Sequence, residues 1–263
     1  MVKRPHILAL PAEGVRPPRF TRLSPRLLAW AAALTAVIGL SYFAAHETSL
    51  FAVDAVEVRG APPLVERAVR EAAAQFVGGS LVDLDGDELR RRLDALPSVR
   101  SFRYDRAFPH TLRIDVVPEK PAAVVRRGAD SWLVSDRGRV IRAVERGALE
   151  QYGRIWVGGA MPIVPGAILT DETTSAALSA LTQLPRNFPV RILSARAEDG
   201  SLSLRLAGGT ELRLGDEGSL ALKLAVAARV LRTLSVEERS ALAYLDVSLP
   251  ERPVAADNSQ VSG

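Results

Sequence analysis

The chain of 263 residues contains no cysteine, which excludes disulfides, thiol nucleophiles and cysteine-ligated metals together. Histidine is nearly as scarce. His6, His46 and His110 lie far apart, so a histidine-rich metal site is excluded as well. No GxSxG, GxGxxG, Walker loop or HExxH occurs anywhere. Aromatic residues make up 5% of the chain, and none interleaves with the basic runs Arg90–Arg92 and Arg126–Arg127. Those runs therefore read as solvated faces rather than nucleic-acid contacts. Carboxylates are plentiful but scattered over cap and turn positions. No metal or cofactor is expected, and the reading is of a non-catalytic protein.

The positive charge is confined. The formal net charge is +4, but residues 1–26 hold six Lys/Arg against Glu13 alone, or +5, which leaves −1 for the rest. That tail (1–26) has Pro11, Pro17 and Pro18 and no periodic apolar face, so it is expected to be disordered. The one long apolar run comes directly after it. Leu27–Ala45 is 19 residues without a charge, enough to cross roughly 28 Å as a helix. A cleavable signal peptide has a shorter apolar core. The basic side precedes the span, so the tail is expected in the cytoplasm and the body outside.

Beyond the span the patterning changes period. "VEVRG" alternates and ends at Gly60, as a strand does. Leu64, Val65, Ala68, Val69, Ala72 and Phe76 then recur at helical spacing after Pro62–Pro63. In "DLDGDELRRRLDALP", Asp85 is expected to cap a second helix and Glu88 to complete a capping box. The spacing of Asp83, Asp85 and Asp87 begins like a calcium loop, but Gly86 stands before Asp87 rather than after it, and Asp94 replaces the closing Glu. "VRSFRYDR" and "HTLRIDVVPE" alternate as two more strands. Strand, helix, helix, strand, strand makes an α+β unit with helices on one sheet face and antiparallel edge strands open to strand addition.

From Pro121 strands dominate. "SWLVSDRGRVI" reads as a hairpin, "DETTSAALSALTQL" as a capped helix, and residues 190–215 as a meander turning at Asp199–Gly200 and Gly208–Gly209. Leu220, Leu224, Ala227, Leu231 and Leu234 form the stripe of a helix packed on that sheet, and Ser235 with Glu238 forms a second capping box. Tyr244–Leu249 closes the pattern as a terminal strand, expected at a sheet edge, and Pro250 and Pro253 interrupt the chain beyond it. Disorder is expected from Ala256.

Three stretches together carry a resemblance: "FAVDAVEVRG", "LPSVRSFRYDRAFPHTLRIDVVPEKPAAVV" and "WLVSDRGRVI". The first unit resembles a POTRA domain (a polypeptide-transport-associated module). With the preceding span the chain resembles the FtsQ/DivIB family of bacterial cell-division proteins. Val99, Arg106, Phe108–Pro109, Leu112, Ile114, Val116, Glu119 and Pro121 match the family pattern, with Phe108 where Trp is common. The resemblance implies a single transmembrane helix (27–45), a POTRA-like domain (51–120), a β-rich FtsQ-type domain (121–255) and a disordered end (256–263). It further implies a scaffold of the inner membrane at the division septum, N-terminus inside. Its partners would be the single-span proteins FtsB (or DivIC) and FtsL and, through them, the septal peptidoglycan synthase. It places a recruitment surface at Arg100, Phe102, Arg103 and Tyr104. It places a partner-binding strand at Tyr244, Leu245, Asp246, Val247, Ser248 and Leu249, continued by Val254. Either face of that strand carries an apolar member, so both orientations stay open. A POTRA component of a transport or outer-membrane assembly system is the alternative.

Overall fold

A computed structural model describes residues 25–47, 51–158 and 162–257. The expected disordered tail, up to residue 24, and the last six residues lie outside them. The chain divides into two units, Met1–Ser49 and Leu50–Gly263. The first holds the 23-residue helix α1 (Pro25–Glu47). Among the described residues, no helix is long and apolar enough to cross a membrane. Within the 19-residue run Leu27–Ala45, the described side chains are those of residues 29–40.

The second unit opens with β1 (Ala55–Arg59), α2 (Pro63–Ala73), α3 (Gly86–Asp94), β2 (Val99–Ala107) and β3 (Thr111–Pro118). Pro63 stands where the first turn of a helix needs no N–H. Asp85 caps α3, accepting from the Asp87 and Glu88 N–H groups at 3.0 Å. The expected capping box does not close there. Glu88 is taken by Arg91 and Arg92 at 2.7 Å, and their hydrogen bonds hold its carboxyl below the usual range. The sheet order is β1-β3-β2, with β2 antiparallel to β3. β1 is parallel to β3, a pairing that the order of elements alone does not specify. The β2–β3 hairpin folds β3 into the middle, where it meets β1 running the same way. Leu112, Ile114 and Val116 face Val65, Val69, Leu89 and Leu93 in a core of their own.

The remaining strands form one sheet. In chain order they are β4 (Pro121–Arg127), β5 (Asp130–Ser135), β6 (Val140–Ala143), β7 (Gly153–Trp156), β8 (Ile192–Glu198), β9 (Ser201–Leu206), β10 (Glu211–Gly215), β11 (Leu242–Asp246) and β12 (Val254–Asp257). Their spatial order is β12-β11-β10-β9-β8-β7-β4-β5-β6. Helices α4 (Glu172–Thr182) and α5 (Leu220–Thr233) cover one face, and α6 (Val236–Ala241) leads into β11. Leu202, Leu204, Leu206, Leu212 and Leu214 point to those helices and are fully buried. The Ser235–Glu238 capping box is complete. Lys223 on α5 is buried among the leucines, with its Nζ donating to Asp216 at 2.6 Å. That hydrogen bond, with the Gly218 N–H, holds the Asp216 carboxyl below its ordinary range.

The end of the chain corrects two expectations. The terminal strand stops at Asp246 rather than Leu249. The Asp246 side chain accepts the Ser248 N–H at 2.9 Å, which bends the backbone out of the ladder, and Pro250 has no N–H with which to resume it. Nor is this strand at the edge. Residues 254–257, the last two of them expected to be disordered, form β12 and pair antiparallel with β11. The small apolar run Val254–Ala255–Ala256 supplies a strand that the surrounding polar composition concealed.

The two sheets meet at a short junction. Glu119 lies between β3 and β4, and its side chain is 0% exposed. Arg137, in the β5–β6 turn, holds it with Nε at 2.9 Å and with a second donor, Nη2. Beside it Arg100 donates to both Asp136 oxygens, at 3.1 and 3.2 Å, and Arg139 donates to the Asp94 carbonyl at 3.3 Å. Removing Arg137 leaves a buried carboxylate without its cation, so Arg137→Ala should lower stability by about 3 kcal/mol. Glu119→Gln keeps the hydrogen-bonding shape and should cost less. Urea unfolding of both variants checks the order, and equal losses would contradict it.

Candidate partner-binding surfaces

The C-terminal end of the large sheet brings β10, β11 and β12 together. The β10–β11 register sets Glu211 beside Tyr244 and Arg213 beside Asp246, and Asp246 in turn faces Val254. Leu245 and Val247 alternate inward and are 0% exposed. Tyr244 therefore stands on the face away from the helices. The Arg213 guanidinium lies over its ring at 4.1 Å, and Glu211 holds Arg213 at 3.1 Å. Asp246 and Ser248 are half-buried, while Leu249 and Val254 are exposed. Of the seven residues expected to form this contact, Tyr244, Asp246 and Val254 share one surface. Leu245 and Val247 belong to the core, and Leu249 has left the sheet. Among the described residues β12 is the outermost strand at this side of the sheet, a position from which backbone groups can pair with another strand.

The second expected surface is β2. Arg100, Phe102, Arg103 and Tyr104 line one open depression of about 630 Å³, together with Arg90 and Asp94. The alternation splits them. Phe102 and Tyr104 lie toward α3 and pack, half-buried, against the first core. Arg90 stacks over the Tyr104 ring at 5.9 Å. A Cβ at Gly86 would come within 2.0 Å of the Tyr104 hydroxyl, so any larger residue there would have to displace the Tyr104 side chain. Arg103 is exposed on the opposite face. Arg100 is committed to Asp136, so a change there also disturbs the junction.

Sequence reasoning missed a third group. On the uncovered face of the large sheet, Trp156, Ser194, Arg196, Ser203, Arg205 and Glu211 line a cleft of about 290 Å³. Beside it Arg126 is pushed toward its neutral form by burial and by the nearby charges of Arg154 and Arg146. Period-2 alternation marks each of these as outward, but only the pairing of distant strands gathers them. Among the described residues, no cluster of three or more His, Cys, Asp or Glu is placed to hold a metal ion.

Because the Tyr244 ring lies outside the core, Tyr244→Ala should cost only about 1 kcal/mol, the worth of its stacking on Arg213. A melting curve checks this, and a loss of the size seen for a buried aromatic would return Tyr244 to the core.

Comparison with known proteins agrees with this architecture. The model for the POTRA domain, FtsQ-type, matches residues 51–117, and that for Cell division protein FtsQ/DivIB, C-terminal, matches residues 123–248. Cell division protein FtsQ of Streptomyces coelicolor is 26% identical over 255 residues, covering 93% of this chain and 94% of that protein. The protein of the same name from Myxococcus fulvus is 28% identical over 209 residues, covering 74% and 70%. That of Anaeromyxobacter is 29% identical over 234 residues, covering 84% and 76%.

Proposed function

This chain belongs to the FtsQ/DivIB family of cell-division proteins, and we propose that it is a non-catalytic, single-span scaffold of the bacterial inner membrane at the division septum. Leu27–Ala45 crosses the membrane with the basic tail inside, and residues 51–257 form the exported body. The POTRA-like domain recruits, and the β-rich domain holds an FtsB- or DivIC-type partner. Through that partner and FtsL it reaches the septal peptidoglycan synthase.

The observation that carries this reading is the outer edge of β12 beside the half-buried Tyr244 and Asp246 and the exposed Val254. An extended segment added to β12 gains backbone hydrogen bonds along the ladder. Its side chains toward the uncovered face reach Val254 and the Tyr244–Arg213 pair, so an aromatic anchor lies within one strand of the edge. Confinement of both chains to one membrane raises their effective concentration, so a short edge suffices.

Two measurements test the proposal. Full-length Tyr244→Ala should lose the small partner in pull-down while its melting temperature moves by only a few degrees; undiminished capture removes Tyr244 from the contact. Protease added to spheroplasts should digest the body beyond Phe51 and leave a short protected fragment. Protection of the whole chain would overturn the topology.

A further inference from the structure

The open face of the first sheet is a checkerboard of charge. Register places Glu57, Arg113 and Asp105 in one row across β1, β3 and β2, and Arg59, Asp115 and Arg103 in the next. The β1 side is already closed. Glu57 is held by Arg59 at 2.6 Å and by Arg113 at 3.0 Å, and the hydrogen bonds from Arg113 and Arg59 keep its carboxyl below the usual range. The β2 side is open. Arg103 and Asp105 are exposed, and among the described residues neither makes a hydrogen bond or an ion pair. β2 is also the longer of the two edges, nine residues against five.

The spacing on β2 is self-complementary. If two copies of β2 pair antiparallel about Tyr104, Arg103 of each copy falls opposite Asp105 of the other. Ser101 then meets Ala107, and Tyr104 meets Tyr104. All of these positions lie in the part of β2 that leaves Arg100 free to hold Asp136. Opposite charges directly across an antiparallel pair stabilise it, and a single-residue slip puts like side chains on the wrong faces.

We propose that β2 pairs with β2 of a second copy of this chain, joining two three-stranded sheets into one of six through reciprocal Arg103–Asp105 pairs. The pairing goes beyond the scaffold role above and relies on it only for confinement in a membrane, since one strand pair is a small interface. A recruitment partner that used the same edge would have to displace the second copy.

The absence of native cysteine makes the test clean. Full-length chains carrying Ser101→Cys and Ala107→Cys, mixed in the same phospholipid vesicles and oxidised, should cross-link to each other. Ser101→Cys alone and Ala107→Cys alone should not, because the pairing sets each of these residues far from its own copy. Introducing Arg103→Glu into both chains should cut the cross-linked fraction roughly tenfold, because both ion pairs become repulsions. Asp105→Arg should do the same. The double swap, Arg103→Glu with Asp105→Arg, should restore it, and so should mixing one single variant with the other. Rescue by the double swap is specific to self-pairing, since a heterologous partner would still meet reversed charges. Co-flotation with the vesicles checks the anchor separately. No mixed cross-link in floated vesicles, or a cross-link indifferent to the swaps, overturns the proposal. Loss of recruitment-partner binding without any change in cross-linking would assign the edge to that partner instead.

Discussion

The pair between the buried Glu119 and Arg137 is the constraint on which the arrangement of the two sheets depends. A carboxylate with no exposed side-chain surface is tolerable only with a cation and full hydrogen bonding. Arg137 can supply both only while the β5–β6 turn sits against the junction between the sheets. Around that pair the backbone adds its own ties: Asp136 N–H to the Lys120 carbonyl and Glu119 N–H to the Ser98 carbonyl, both at 2.9 Å. Arg100 and Arg139 close the same seam from either side. Two domains with separate cores are thus held through one turn and one short linker rather than through a broad apolar interface.

This seam explains why two distant stretches of sequence belong together. Glu119 lies within one of the stretches that carry the family resemblance, and Arg137 lies within another. From the sequence each looked local, one an acidic residue after a strand and the other a basic residue in a hairpin turn. Their meeting depends on β4 and β5 folding back over the end of β3, a long-range fact that no periodicity announces.

Local rules were legible where they acted alone. Asp85 caps its helix, Ser235 and Glu238 close a box, and every leucine of the 202–214 meander faces the core. They failed where a second interaction competed. Glu88 had two arginines within reach and left its box unformed. The Asp246 side chain took the Ser248 N–H and ended the strand before Val247. Sheet order was the least legible. β1 joins β3 in parallel, and β12 takes the edge that seemed to belong to β11, because a strand's neighbours are chosen by three-dimensional closure and not by its own pattern. The same limit hid the face bearing Trp156, Arg196 and Arg205, whose members come from strands that meet only in space.

The nine-stranded sheet runs unbroken from β12 to β6, and β6 leaves the very turn that grips the first domain. Eight inter-strand spacings of about 4.8 Å separate those two edges by roughly 38 Å. The sheet is therefore a ruler. Whatever docks at β12 is held a set distance from the β5–β6 turn, and that distance is counted in strands rather than measured along a flexible linker. Side chains on either face can change freely without altering it, whereas gain or loss of one hairpin would move the far edge by about 10 Å.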